Sequence, residues 1–199
     1  MNPRLYDFAA WLLRVIFRTV FRARAYGVEN IPRDGPLIFA SNHVSYLDPP
    51  ALCFSPRRIS FMAKKELFEI PLLGPAIRGV GAYPVDRQGS ARSAIKQSLA
   101  VLQAGGAVGI FPEGTRNLTG DVQPQVGVAL LAELSGAPVL PTCVLGGSSA
   151  RHFSQMKVAF GKPLVLPVGR KATRDDLAKF TQQVMSAIQA LAGSIGGNS

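Results

Sequence analysis

Leu37-Ile38-Phe39-Ala40-Ser41-Asn42-His43-Val44-Ser45-Tyr46-Leu47-Asp48-Pro49-Pro50 is the stretch around which the chain is organised. It opens with an apolar run of strand length. An Asn-His pair follows, then an Asp directly before two prolines, which reads as strand, sharp turn and helix start. In that reading Asp48 is the N-cap and Pro49 the first helical residue. Five positions along a continuous helix put His43 and Asp48 on different faces, so the two meet only if the chain turns between them, as Ser45 and the prolines suggest. A His whose ring is held by a carboxylate is a candidate general base. The plainer alternative is a His that ends a strand and an Asp that only caps a helix.

Two further polar clusters also follow apolar runs. Residues 79–85 read as a strand ending in Asp86-Arg87, and Ala107-Val108-Gly109-Ile110-Phe111 runs straight into Pro112-Glu113-Gly114-Thr115-Arg116. Loops leaving the same ends of neighbouring strands converge in an α/β sheet, so the three clusters can share one pocket. Arginine presents a rigid fork of donors to phosphate oxygens, and Gly114 lets backbone approach a ligand closely. A base beside two such arginines suits activation of a hydroxyl on a phosphorylated substrate. Taken singly, Arg87 and Arg116 also read as surface ion pairs, and Glu113 as a cap or loop carboxylate.

Elsewhere strands alternate with helices. A short apolar run at 58–63 leads into Lys64-Lys65-Glu66-Leu67-Phe68, a polar helix start, and the prolines of residues 70–75 forbid a long helix there, leaving a segment that covers a surface. Ser90 offers an N-cap to a helix that Gly105-Gly106 stops. A helix over 126–134, strands over 138–144 and 157–160, and a last amphipathic helix capped by Thr173 complete the pattern. The expected fold is an α/β single-domain sandwich: a central mixed, largely parallel sheet flanked by helices. Its divisions are an N-terminal amphipathic helix over 1–26, one domain over 27–193 and a flexible tail over 194–199.

The composition fits this. With 199 residues, 47% hydrophobic and 17% charged, the chain can bury a sizeable core as one domain. A formal charge of +10 favours anionic partners without choosing among phosphates, acidic lipids, acidic proteins and nucleic acid. Cys53 and Cys143 sit in apolar surroundings without metal-ligand spacing and read as buried free thiols. His43 and His152 are the only histidines, so imidazole chemistry belongs to one of them. Over residues 5–24, Leu5, Phe8, Leu12, Ile16 and Val20 recur at helical spacing, with Trp11, Phe17 and Phe21 widening the stripe. Arg14, Arg18 and Arg22 form a second stripe that breaks the run well short of a membrane span. This helix suits the headgroup region of an anionic membrane, or else packs its apolar face on the domain's own core.

Asn42-His43-x4-Asp48, Gly81-Ala82-Tyr83-Pro84-Val85-Asp86-Arg87, Phe111-Pro112-Glu113-Gly114-Thr115-Arg116 and Val139-Leu140-Pro141 together resemble the four ordered blocks of the glycerolipid acyltransferases. Within that family the chain is most similar to bacterial 1-acylglycerol-3-phosphate acyltransferases. The resemblance runs from about residue 36 to 147. It implies that His43 deprotonates the sn-2 hydroxyl of lysophosphatidate and that Asp48 orients the ring. The hydroxyl then attacks an acyl thioester, from acyl-CoA or acyl-carrier protein, without a covalent acyl-enzyme, a metal or any further cofactor. By the same resemblance Arg87, Glu113, Gly114, Thr115 and Arg116 hold the acceptor's glycerol phosphate and Pro141 shapes the pocket. The implied place is the cytoplasmic face of the cell membrane, peripheral or monotopic.

The chain departs from the family pattern at two points. Tyr83 stands where Phe is usual, and Pro124-Gln125-Val126-Gly127 stands where the family often has Phe-Lys-x-Gly. The uncharged Gln125 supports a rival acceptor, such as a lyso-ornithine lipid or another lysophospholipid. A rival from another class is a non-catalytic module that sits on anionic membranes or nucleic acid through its charge, but the basic aromatic ladders of nucleic-acid surfaces are missing. His152 matches no block and reads as a loop residue.

Overall fold

A computed structural model describes residues 1–85, 91–117, 122–146, 155–167 and 171–196. All five residues of Leu37–Ser41 are buried, and this strand lies in the middle of a seven-stranded sheet. In chain order the strands are β1 Arg24–Tyr26, β2 Leu37–Ser41, β3 Ile59–Lys64, β4 Tyr83–Val85, β5 Ala107–Ile110, β6 Val139–Leu145 and β7 Lys157–Phe160. They are arranged β1-β7-β6-β2-β5-β3-β4. Among the described residues, β6–β7 is the antiparallel pair of strands and the other neighbours run parallel. A parallel sheet covered on both faces needs apolar residues on both, which is why β2 and β5 read as unbroken apolar runs.

Side chains of β2 alternate between two cores. Ile38 and Ala40 join the core formed with helices α4 (Ala91–Gln103), α5 (Gly127–Ser135) and α6 (Arg174–Gly196). Leu37 and Phe39 face the core formed with helix α1 (Pro3–Thr19), the short α2 (Asp48–Ala51) and the 3-10 turn Leu52–Phe54. Because β2, β3 and β5 are parallel, the loops after all three leave one edge of the sheet.

Helix α1 differs from the single apolar stripe read from its sequence, because it carries two apolar faces. Ala10 and Phe17, with Tyr6, Leu13 and Phe21, pack into the body, while Leu5, Phe8, Trp11, Leu12, Val15, Ile16 and Val20 stay exposed. Two members of the basic stripe, Arg14 and Arg18, also fasten the helix to the body. Arg14 donates to the carbonyls of Cys53 and Ser55, Arg18 lies 5.6 Å over the Phe54 ring, and Arg58 grips Asp7 with two bonds of 2.9 and 2.8 Å. Carbonyls at the end of a short helical turn lack internal partners, and Arg14 supplies them. No helix among the described residues is long and apolar enough to cross a membrane.

Several boundaries shift for local reasons. Helix α3 (Leu73–Gly79) takes the start of the segment read as a strand, so that only Tyr83–Val85 pairs with β3. Strand β1, read as the end of the first helix, is three residues held by pairing to β7. At α6 the Thr173 hydroxyl accepts the Asp176 N–H at 3.2 Å while the Asp176 carboxylate accepts the Thr173 N–H at 2.8 Å, a reciprocal cap. The helix runs on to Gly196, through the first half of the expected tail. Ser90, read as the cap of α4, lies outside the described residues.

Cys53 and Cys143 are buried free thiols, and burial pushes each up to about 12. Raised values keep both protonated far above neutrality, and the thiolate is the reactive form. The folded protein at pH 8 should therefore react with no equivalent of a disulfide reagent, and with two after denaturation. Rapid modification of either thiol in the native protein would contradict this.

Candidate active site

Where β2 ends, the Asn42 carboxamide continues its pairing sideways. Its Nδ2 donates to the Val144 carbonyl at 2.9 Å and its Oδ1 accepts the Val144 N–H at 2.8 Å. The strand end is thereby pinned to β6, and the next residue, His43, leaves the sheet from a fixed point. The chain then turns, and the His43 Nδ1 comes to 3.1 Å from Asp48 Oδ2.

Asp48 is the first residue of α2 and not its N-cap, a correction to the sequence reading. The carboxylate points back instead of forward: Oδ2 also accepts the N–H groups of Val44 and Ser45, each at 2.7 Å. Two short loop N–H groups left unpaired beside a buried carboxylate outcompete the cap. One oxygen thus holds both the loop and the ring, and Asp48 is wholly buried. A carboxylate only accepts, so this geometry fits the Nδ1–H tautomer and leaves the lone pair on Nε2. The ring stacks on Phe111 with centroids 4.1 Å apart, and Phe61 stacks behind Phe111 at 6.2 Å.

The loop after β5 closes as a turn in which Gly114 N–H donates to the Phe111 carbonyl at 2.9 Å, with Gly114 at φ +69°. Glu113, at 5% exposure, is turned inward by this turn. Its Oε2 accepts the backbone N–H of His43 at 2.7 Å and its Oε1 accepts Asn117 Nδ2 at 3.2 Å. Asn117 N–H in turn donates to the His43 carbonyl at 2.7 Å. The two loops are therefore knit together through the His43 backbone. At the surface, Gly114 and Thr115 are exposed, and the Arg116 guanidinium lies 3.9 Å over the ring of the exposed Tyr46.

His43, Asp48, Glu113, Gly114, Thr115 and Arg116 thus gather at one edge of the sheet. Pro141 is not among them: it is buried in β6 opposite Ala40, next to where the ladder with β7 ends. A cavity of about 410 Å³ beneath the loops is lined by Asn42, Glu113, Asn117 and Cys143, with Gln182 and Met185 of α6. From β6 it is Cys143 and not Pro141 that lines it. Arg87 and His152 lie outside the described residues. Sequence reasoning gave no role to Asn42, Phe111 or Asn117. Asn42 and Phe111 open the first and third blocks without a role of their own there, and Asn117 directly follows the third.

The sequence model of the Acyltransferase family matches residues 22–145. The chain belongs to the acyltransferase family. It is 33% identical over 193 residues to the 1-acyl-sn-glycerol-3-phosphate acyltransferase of Bacillus subtilis (strain 168), covering 94% of this chain and 96% of that one. With the enzyme of the same name from Streptococcus pneumoniae it shares 28% over 176 residues, 85% of this chain and 66% of the relative. The crystal structure of the 1-acyl-sn-glycerophosphate (LPA) acyltransferase PlsC from Thermotoga maritima has the same fold, with a TM-score of 0.73 at 24% identity over 96% of this chain and 82% of that one.

In this acyltransferase the inward Glu113 makes a discriminating prediction. Glu113→Ala removes the acceptor of the part-buried His43 N–H, which costs about 1–3 kcal/mol at most. For a chain of this size that lowers Tm by roughly 2–4 °C per kcal/mol. The expected outcome is a lower kcat and a lower Tm with KM for the acceptor nearly unchanged. A raised KM with unaltered Tm would instead put the carboxylate on the acceptor, as its sequence block suggests.

Proposed function

We propose that this acyltransferase moves a fatty acyl group from an acyl thioester to the sn-2 hydroxyl of 1-acylglycerol 3-phosphate, giving phosphatidic acid for phospholipid synthesis. The observation that carries the reading is the His43 ring held at 3.1 Å by Asp48 on a loop whose backbone is braced by Glu113, with Arg116 at the rim. His43 Nε2 takes the hydroxyl proton as the oxygen attacks the thioester carbonyl carbon. The tetrahedral intermediate collapses, the carbon–sulfur bond breaks, and the thiolate leaves with the proton that His43 carried. Asp48 faces the imidazolium while it exists. Proton transfer of this kind supplies roughly 10²–10⁴-fold, and positioning and oxyanion stabilisation supply the rest.

Arg116 is assigned to the acceptor phosphate, together with Arg87 by its place in the second block, while the exposed Gly114 and Thr115 offer backbone and hydroxyl donors beside it. The donor is acyl-CoA or acyl-carrier protein, whose common phosphopantetheine thiol is the leaving group, and no other cofactor is needed. A net charge of +10 suits either donor as well as an anionic leaflet. The exposed face of α1, with Phe8 and Trp11, is assigned to the membrane surface, with the enzyme peripheral or monotopic on the cytoplasmic face.

A second reading keeps the chemistry and changes the acceptor to a lyso-ornithine lipid. It rests on Gln125, whose uncharged amide packs against Gly114 where a Cβ would meet Nε2 at 2.9 Å. The test incubates purified protein with either donor and with lysophosphatidate, lyso-ornithine lipid or monoacylglycerol, and identifies products by mass. Phosphatidate as the main product supports the proposal, product from lyso-ornithine lipid alone replaces the acceptor, and no product with any pair rejects it. Arg116→Ala should raise KM for lysophosphatidate by roughly 10–100-fold and leave monoacylglycerol unaffected.

A further inference from the structure

Leu72 is the most exposed large apolar side chain among the described residues, at 88%. It forms the tip between the 3-10 turn Lys65–Phe68 and α3, and its backbone sits at φ +65°, ψ −43°. That region is unfavourable for a leucine and native to glycine. The tip is held there by its surroundings. Leu73 N–H donates to the Pro71 carbonyl at 2.8 Å and Gly74 N–H to the Ile70 carbonyl at 2.9 Å. Gly74 lies so close to the Phe68 carbonyl that a Cβ would stand 2.2 Å from its oxygen. Phe68 is buried, whereas Leu67, Ile70 and Leu73 are exposed alongside Leu72. A rigid turn therefore presses an apolar cluster into solvent at a cost in backbone energy, which a soluble surface gives no reason to retain.

The tip follows β3, so it rises from the same sheet edge as the His43 loop. At its other end α3 meets the N-terminus: Asn2 N–H donates to the Gly79 carbonyl at 2.9 Å, and Leu5 packs against Gly79. The apolar outer face of α1 thus begins beside α3. Lys64, Lys65 and Arg78 flank the cluster against Glu66 and Glu69, on a chain of charge +10.

We propose that the Leu72 tip, with Ile70 and Leu73, inserts into an anionic phospholipid leaflet as a second membrane contact beside α1, holding the His43 edge against the surface that carries its acceptor. The inference rests on the lipid-acceptor reading above. Its test reads partition without turnover, so the two fail separately.

Binding of the purified full chain to phosphatidylglycerol vesicles is measured by co-sedimentation for wild type, Leu72→Ser and Leu72→Gly. Burying one leucine corresponds to a partition change of roughly ten- to a hundredfold, and both variants should lose that much. Leu72→Gly also relieves the positive φ, so its Tm should hold or rise while its vesicle binding falls. A purely structural residue cannot move the two in opposite directions. Both variants should turn over dispersed short-chain substrates at the wild-type rate. Unchanged vesicle binding in both would overturn the proposal. So would concentration-dependent dimers of wild type that Leu72→Gly abolishes, since the tip would then be docking a second copy.

Discussion

His43→Ala is expected to lower acyl transfer by roughly 10²–10⁴-fold while leaving the protein folded. The ring is the group on the loop with a free basic nitrogen in the geometry seen, because Asp48 occupies Nδ1 at 3.1 Å and Nε2 keeps its lone pair. The backbone that carries it is tied independently of the ring, through Glu113 at the His43 N–H and Asn117 at the carbonyl. Truncation removes the stacking on Phe111, about 0.5–1.5 kcal/mol, so Tm should fall by only a few degrees. Initial rates of phosphatidate formation and a thermal melt on the same preparation check both halves. A variant that folds and keeps more than about a tenth of wild-type activity would remove His43 from the chemistry.

Asp48→Asn separates charge from geometry. All three bonds fall on Oδ2, from Val44 N–H, Ser45 N–H and His43 Nδ1, so an asparagine carbonyl oxygen in that place keeps the loop and the ring tautomer. What it loses is the negative charge facing the imidazolium. Its NH2 takes the place of Oδ1, which is buried without a hydrogen-bond partner, so the expected result is a Tm lower by a few degrees with kcat down by roughly 10²-fold. Asp48→Ala instead leaves two loop N–H groups unpaired at a fully buried position, about 1–3 kcal/mol each, and should lose both stability and activity. A folded Asn variant as active as wild type would reduce Asp48 to a loop tie.

The strand-and-turn at 37–50 was legible because a strand buried on both faces is an apolar run, and polar residues placed directly after it have nowhere to go but the sheet edge. The mixed sheet, the Thr173 cap and the buried thiols were readable for similarly local reasons. What sequence could not show was partnership across the fold. The direction of Asp48 is decided by loop N–H groups behind it, and the inward turn of Glu113 by a backbone N–H seventy residues earlier. That Arg14 and Arg18 also tie the helix to the body was not visible, because their partners, Cys53, Ser55 and Phe54, lie far along the chain. Pro141 belongs to a motif block, but strand position buries it beside Ala40. Leu72 lies in a segment read only as covering a surface, and its significance is a backbone conformation that a residue type does not show.

The proposed transfer is direct: His43 deprotonates the acceptor, which attacks the thioester with no acylated enzyme between. Rapid-quench measurement of thiol release, with and without lysophosphatidate, tests this most directly. Direct transfer gives no burst without acceptor, and with acceptor a thiol release matched by phosphatidate from the first turnover. A burst of about one equivalent without acceptor would mean that the enzyme is acylated first, and would contradict it.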